Sequence, residues 1–239
     1  SAFANDANTL LLIHADGADG TTTFTDDVAA RTPVWTTPSG NAQISTGQSK
    51  FGGASAYFDG VNDRLLVNSD FTFTGDFTWE GFARSNVSGT IISNRSVTDT
   101  GFETGTITLE RQGDDTLNCN LFDSANITSS ATSDNTWFHW AIVRNSGTIA
   151  LYLNGVSQGT SSNTVEIGKL GHSNLQLGTL GNDVGDYGGY LDEVRISNTA
   201  RYTSGFTPST SAFANDADTL LLMHMDGTNG STTFTDDAG

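Results

Sequence analysis

Residues 135–160 read NTWFHWAIVRNSGTIALYLNGVSQGT, and this run decides the fold. Side chains along a strand alternate between two faces. Trp137, His139, Ala141 and Val143 therefore share one face, and Phe138, Trp140 and Ile142 share the other. A strand that is apolar on both faces is covered on both, which places it in the interior of a sheet. Asn145-Ser146-Gly147 then turns the chain back into Thr148–Leu153, and Asn154-Gly155 turns it again into Val156–Thr160. Asn-Gly is the strongest short-range hairpin signal, because a type I′ turn needs positive φ at both central positions.

Outward from this meander, short alternating or apolar runs recur between clusters of Gly, Asn, Asp and Ser. They predict strands near Thr9–His14, Ser55–Phe58, Arg64–Val67, Phe77–Ala83, Thr90–Ser93, Thr106–Arg111, Leu117–Phe122, Leu175–Leu177 and Tyr190–Ser197. No long stretch carries a helical period. Many short strands at this spacing predict an all-β sandwich or barrel.

Residues 1–29 return, slightly edited, as residues 211–239. The copies read SAFANDANTLLLIHADGADGTTTFTDDVA and SAFANDADTLLLMHMDGTNGSTTFTDDAG, identical at 21 of 29 positions. The reading that follows is one domain over residues 1–210 and the opening segment of a next unit over 211–239, joined by the short link Gly205–Ser211. Leu10–Ile13 is apolar on both faces, so the repeated segment is expected to supply an interior strand. One domain has one slot for it. The second copy, Thr219, Leu220, Leu221, Leu222 and Met223, is therefore expected to pair outside the 1–210 domain and to link units head to tail. A chain that begins inside such a pattern is expected to be a piece of a longer polypeptide.

Composition narrows the function classes. Ten Lys and Arg stand against 27 Asp and Glu, a formal charge of −17. Phosphate-rich partners need the opposite sign, which excludes nucleic acid and disfavours anionic lipid. The charge suits divalent cations. No run approaches the ~20 apolar residues of a membrane-spanning helix. The single cysteine, Cys119, lies in a strand-like run and reads as a small buried apolar residue.

Several motifs occur in a fixed order: Lys50-Phe-Gly-Gly-Ala-Ser-Ala-Tyr-Phe-Asp-Gly60, Gly75-Asp-Phe-Thr-Trp-Glu80, Asn135–Arg144, Leu151-Tyr-Leu-Asn-Gly155, Gly189-Tyr-Leu-Asp-Glu-Val-Arg-Ile196 and Ala200–Pro208. Together they resemble the laminin-G-like, concanavalin A-like jelly-roll family, in particular the repetitive surface and tail proteins of marine bacteria and phages. The resemblance implies a sandwich of two antiparallel sheets, with Phe77, Trp79 and Trp137 large enough to fill the space between them. It implies a location outside the cell, on a cell surface or on a virion surface.

Glycosidases of this fold carry Glu-x-Asp-x-Glu, which puts three carboxylates on one strand face. No such spacing occurs here: Glu103 and Glu110 are seven apart, Glu166 stands alone, and Asp192 and Glu193 are adjacent, which reads as opposite faces. No catalytic histidine or cysteine motif appears either. The expectation is a protein that is not an enzyme.

Metal binding is the sharper reading. The resemblance implies a structural calcium held by Asp16, Asp192 and the carbonyl of Gly52 or Gly53. The oxygen-rich turn at Asp59, Asn62 and Asp63 is a second candidate, with the alternative that Asp-Gly pairs are turns needing no ion. A third acidic cluster, Asn215, Asp216 and Asp218, repeats Asn5, Asp6 and Asn8 at the link between units. For glycans, Tyr187 and Tyr190 flank Gly188-Gly189, with Asn182 and Asp183 near in sequence; the alternative places these residues in core or turns. Two functions follow: a structural or adhesive repeat of a long extracellular fibre, adhesin or virion appendage, whose partners are neighbouring repeats, or a calcium-dependent carbohydrate-binding module acting by avidity.

Overall fold

The computed structural model of the protein describes residues 40–67, 71–95, 103–168, 175–180 and 185–238. In chain order its strands are β1 (Gln43–Ser45), β2 (Ser55–Asp59), β3 (Leu65–Val67), β4 (Phe77–Ser85), β5 (Gly89–Ser93), β6 (Ile107–Arg111), β7 (Thr116–Leu121), β8 (Ile127–Ala131), β9 (Phe138–Asn145), β10 (Thr148–Leu153), β11 (Val156–Ser162), β12 (Leu175–Leu177), β13 (Gly188–Ser197) and β14 (Thr219–Met223). The 135–160 meander forms as read. Thr148 pairs with Asn145 and Leu153 with Val156, leaving two-residue loops at Ser146-Gly147 and Asn154-Gly155. All four loop residues have φ between 50° and 78°, the signature of type I′ turns. Gly155 is also required sterically: a Cβ there would stand 1.9 Å from the Phe206 carbonyl oxygen.

Two antiparallel sheets result. The large sheet runs β1-β2-β13-β4-β9-β10-β11, with β14 also on β13; the small sheet runs β3-β12-β5-β6-β7-β8. Trp79, Trp140, Ile142, Ile149, Leu151, Val194 and Ile196 from the large sheet meet Ile107, Leu109, Leu117, Cys119 and Leu121 from the small one in a single buried core. The fold is the jelly-roll sandwich expected.

The outer face of the large sheet is covered too. After β13 the chain crosses it, laying Tyr202 and Phe206 over Ala141, Val143, Ala150 and Tyr152. Phe213 then packs with Phe82 and Leu222. Trp137 joins this outer cluster, half-buried beside Phe51, rather than the space between the sheets. Beneath the cover, buried Glu80 anchors the crossing. Arg195 Nε and Nη2 donate to its Oε1 at 2.9 and 2.6 Å, and the Tyr202 hydroxyl donates to Oε2 at 2.8 Å. His139 Nε2 lies 3.2 Å from the same Oε2.

The second copy of the repeat behaves differently from expectation. Thr219–Met223 does not pair outside the body: β14 pairs antiparallel with β13, Met223 opposite Val194 and Leu221 opposite Ile196. The physical reason lies in β13. Its edge away from β4 is paired by β2 only from Gly188 to Leu191, so Val194–Ser197 needs another partner. Leu221 and Met223 enter the core, and Leu222 enters the outer cluster, so the strand is apolar on two covered faces as read. Its far edge is closed by the tail: Leu222 N–H donates to Asp236 Oδ1 at 2.9 Å, and Asp237 N–H donates to the Leu222 carbonyl at 2.7 Å. A boundary after residue 210 therefore does not separate two bodies. The strand expected at Thr9–His14 lies outside the described residues.

The junction cluster is likewise internal. Arg201 forks onto Asp216 at 2.6 and 2.7 Å, and the Thr219 hydroxyl donates to Asp216 at 2.8 Å. Asp218 contributes its carbonyl to the Asn198 N–H, and Asn215 precedes the fork in the same covering segment. These residues fasten β14 to its own body.

Candidate functional site

Two regions concentrate polar chemistry. The first is where β13 bulges. Glu193 takes φ 53°, and the β4 register slips between Asp192 and Arg195. The bulge turns the adjacent carboxylates to one side instead of two. Asp192 Oδ2 accepts the N–H of Lys50 and of Phe51 at 2.6 and 3.1 Å, while Glu193 accepts the Phe213 N–H at 2.6 Å and faces His224 Nδ1 at 2.8 Å.

Asp226, the repeat counterpart of Asp16, completes this corner. Its Oδ2 lies 2.0 Å from where a Cβ on Gly52 would stand, so only glycine admits the carboxylate there. Burial pushes the Asp192 carboxyl up to about 7 against the pull of the two N–H donors, and the charges of Glu193 and Asp226 push the same way. Burial also raises Asp226, and the Glu193 hydrogen bond raises His224. Asp192 Oδ1 is buried without a hydrogen-bond partner. A buried carboxylate oxygen left unpaired beside further carboxylates and a Gly-Gly turn fits a hard cation. Among the described residues no three Asp, Glu, His or Cys side chains converge closely enough to hold an ion unaided. Backbone carbonyls and water would have to complete such a shell. Asp16 itself lies outside the described residues.

The oxygen-rich turn reads as a turn. The Asp63 carboxylate accepts the Asn41 and Asp59 N–H groups, Asp59 Oδ1 accepts the Val61 N–H at 2.8 Å, and the Asn62 N–H, at φ 58°, donates to Asp186 at 2.8 Å.

The second region is the outer face of the small sheet. Along β7 the inward residues are Leu117, Cys119 and Leu121, which turns Asn118 and Asn120 outward, with Phe122 next in the alternation. Glu110 on β6 accepts from the Asn120 amide at 3.0 Å and from the Thr108 hydroxyl at 3.1 Å. Asn126 donates to Asn120 Oδ1 at 2.7 Å. Asn118 Oδ1 is buried with no hydrogen-bond partner. These amides line an open cavity of about 570 Å³ with Gln112, Ser124 and Leu180, and Phe122 stands at its rim, 52% exposed. The arrangement offers fixed amide and carboxylate groups beside an aromatic face, which suits a polyhydroxylated ligand. Sequence reading missed it. The available signal was the period-two run Asn118-Cys-Asn-Leu-Phe122, in which an aromatic ends a polar face.

The tyrosine pair divides. Tyr187 is fully buried, its ring edge-on to Phe58, and belongs to the core; burial raises its hydroxyl pKa. This corrects its reading as a ligand contact. Tyr190 is half-buried, 5.1 Å from the Tyr57 ring and 6.0 Å from the Arg84 guanidinium, in a cleft of about 210 Å³. Asn182 and Asp183 lie outside the described residues.

A laminin-G-type family model, described as the concanavalin A-like lectin/glucanases superfamily, matches residues 58–204. The chain belongs to this family. Among solved structures, domain 4 of the extracellular arabinanase AbnA from Geobacillus stearothermophilus, in complex with arabinotriose, is 18% identical. It superposes with a TM-score of 0.51 over 67% of this chain and 77% of that one. The binding domain of Paraclostridial Mosquitocidal Protein 1 is 16% identical, TM-score 0.54, over 82% of this chain and 50% of that one. The botulinum neurotoxin serotype G binding domain is 14% identical, TM-score 0.51, over 82% and 49%. This laminin-G-type chain thus spans about half the length of the two toxin domains, and at these identities the likeness is one of fold. Among curated proteins none is significantly similar in sequence. No helix among the described residues is long and apolar enough to cross a membrane.

Proposed function

We propose that this chain is a non-enzymatic, saccharide-binding adhesive module of an extracellular protein, a cell-surface adhesin or virion appendage, in which near-identical units recur and bind by avidity. The observation that carries this reading is the outer face of the small sheet: an amide ladder with the unpaired Asn118 oxygen, rimmed by exposed Phe122. Amides and Glu110 match sugar hydroxyls, and an aromatic face stacks on a sugar ring. The repeat of residues 1–29 at 211–239 supports recurrence along a fibre. The length of the parent polypeptide tests that part directly.

The Geobacillus domain is in complex with arabinotriose, so immobilised arabino-oligosaccharides are the first probes, followed by a broader glycan array, each with calcium. Specific retention is expected, weakened roughly fivefold by Phe122→Ala, the equivalent of about 1 kcal/mol. Retention indifferent to Phe122→Ala combined with Asn120→Ala overturns this site. If Tyr190→Ala abolishes it instead, the ligand sits in the Tyr57–Tyr190 cleft.

We propose further that calcium occupies the β13 corner in a structural role, ligated by Asp192, Asp226 and a carbonyl of Gly52 or Gly53. The unpaired Asp192 oxygen supports this.

A further inference from the structure

Three side chains stand in one row across the large sheet. Tyr190 of β13 pairs in register with Tyr57 of β2 on one side and with Arg84 of β4 on the other. Their chain neighbours Phe58, Leu191 and Ala83 point into the core. Strand alternation therefore turns Tyr57, Tyr190 and Arg84 outward, and each is half-buried. The row borders the cleft of about 210 Å³, whose floor is Gly188 and Gly189. A Cβ on Gly188 would stand 2.9 Å from Val87 Cγ2, and one on Gly189 would stand 2.4 Å from the Arg84 carbonyl oxygen. The floor is thus kept bare, and the polar and aromatic groups stand around it.

The cation in this cleft lacks a matching anion. In a chain with 27 acidic and 10 basic residues, the other arginines of the large and small sheets are well occupied. Arg111 binds Asp115 and Asp134, Arg195 binds Glu80, and Arg144 donates to main-chain carbonyls. The Arg84 guanidinium reaches only the Asn135 Oδ1, at 3.4 Å, longer than an ordinary hydrogen bond, and lies 6.0 Å from the Tyr190 ring. Asp59 also lines the cleft, but its two oxygens are taken, by the Asn41 amide at 3.1 Å and the Val61 N–H at 2.8 Å. A guanidinium presents a planar fork that a carboxylate matches with two parallel hydrogen bonds. The neighbouring tyrosine offers a face on which a sugar ring stacks. The charge of Asp59 and the net charge of −17 work against ligands dense in sulfate or phosphate.

We propose that the Tyr57–Tyr190–Arg84 cleft is a second saccharide site, one that takes a uronic acid residue: its carboxylate on Arg84, its ring on Tyr190. The site lies on the large sheet and uses none of the groups on the outer face of the small one. Either site can therefore fail alone.

The test is calorimetric titration of the full chain with trimers of galacturonate, mannuronate and guluronate, each beside its neutral methyl ester. Chelator is present, so that calcium cannot bridge ligand and protein. Salt at about 0.15 M screens charges beyond about 8 Å. At least one acid is expected to bind about tenfold more tightly than its ester, the low end for hydrogen bonds to a charged group. Arg84→Gln should erase that preference, and Arg84→Lys, which keeps the charge without the fork, should retain part of it. Tyr190→Ala should weaken acid and ester alike, and Phe122→Ala should change neither. Near-ultraviolet circular dichroism checks that each variant is folded; should Arg84→Gln misfold, the acid-to-ester ratios of wild type and Arg84→Lys decide. The proposal is overturned if no acid binds at millimolar concentration, or if acid and ester bind wild type equally. It is overturned as well if folded Arg84→Gln keeps the preference, or if Phe122→Ala abolishes binding of the acid.

Discussion

Replacing Glu80 by Gln tests what fastens the covering segment to the large sheet. The carboxylate is fully buried and balances the Arg195 guanidinium, itself only 8% exposed. Removing one partner of a buried ion pair leaves the other charge uncompensated and costs about 3–5 kcal/mol. Gln keeps the shape and some of the hydrogen bonds, so the lower end, about 3 kcal/mol, applies. For a body of this size that is a fall in Tm of roughly 6–12 °C. Guanidinium unfolding followed by the fluorescence of buried Trp79 and Trp140 reads the loss directly.

The pH dependence has a definite sign. Burial raises the Glu80 carboxyl, but the His139 hydrogen bond and the Arg195 charge together outweigh it and hold the group below its ordinary value. The stabilisation is then complete above the ordinary glutamate range, about pH 4.3, and is lost as pH falls through the lower folded value. The double variant Glu80→Met with Arg195→Met should regain more than half of the loss, because an apolar pair carries no unpaired charge. An E80Q protein within about 1 kcal/mol of wild type, together with wild-type stability that stays flat between about pH 6 and pH 3, would refute this reasoning.

Other outcomes follow from single contacts. Calcium at ~100 times its dissociation constant should add about 2.7 kcal/mol, or roughly 5–11 °C in calorimetry. Asp192→Asn should abolish that gain, and an equal gain in the variant would remove the ion from this corner. Gly155→Ala must place a Cβ against the Phe206 carbonyl at φ 77°, and should lower stability by more than about 2 kcal/mol in denaturant unfolding. Gly75→Ala, with open space around its Cβ, should stay within about 0.5 kcal/mol. Cys119 is fully buried and its thiol is pushed up to about 12, so a thiol reagent should label it only after unfolding.

Most of the fold is legible because its strands alternate or are apolar throughout. The meander at 135–160 forms with the turn residues that the sequence places there. β1 escapes notice because three residues carry no period, and β8 because Ile127 and Ser129 are its only buried positions. The letters of 219–223 show a strand covered on both faces, but not that its host is β13 of the same body. Nothing in the letters shows that β2 leaves half of one β13 edge unpaired. Trp137 and Tyr187 exchanged expected roles for a related reason. The covering segment turns the outside of the large sheet into a second buried layer for Trp137, while Tyr187 enters the core beside Phe58. Of the corner, Asp192 and Gly52 were visible by position. The bulge that brings Glu193 to the same side was not, because positive φ at a glutamate leaves no compositional mark.

The late position of β14 has a consequence for biosynthesis. Residues 194–197 of β13 emerge from the ribosome well before residues 219–223 that complete their ladder, and before the tail at 236–237 that seals it. Through that interval Val194–Ser197 lack the β14 ladder and the sealing tail that they have in the finished body. Cooperative closure must wait for about forty further residues, two or more seconds at ordinary elongation rates. Crowded polysomes making this protein are thus expected to depend on holdase chaperones, and slowing translation across residues 198–218 should raise the aggregated fraction.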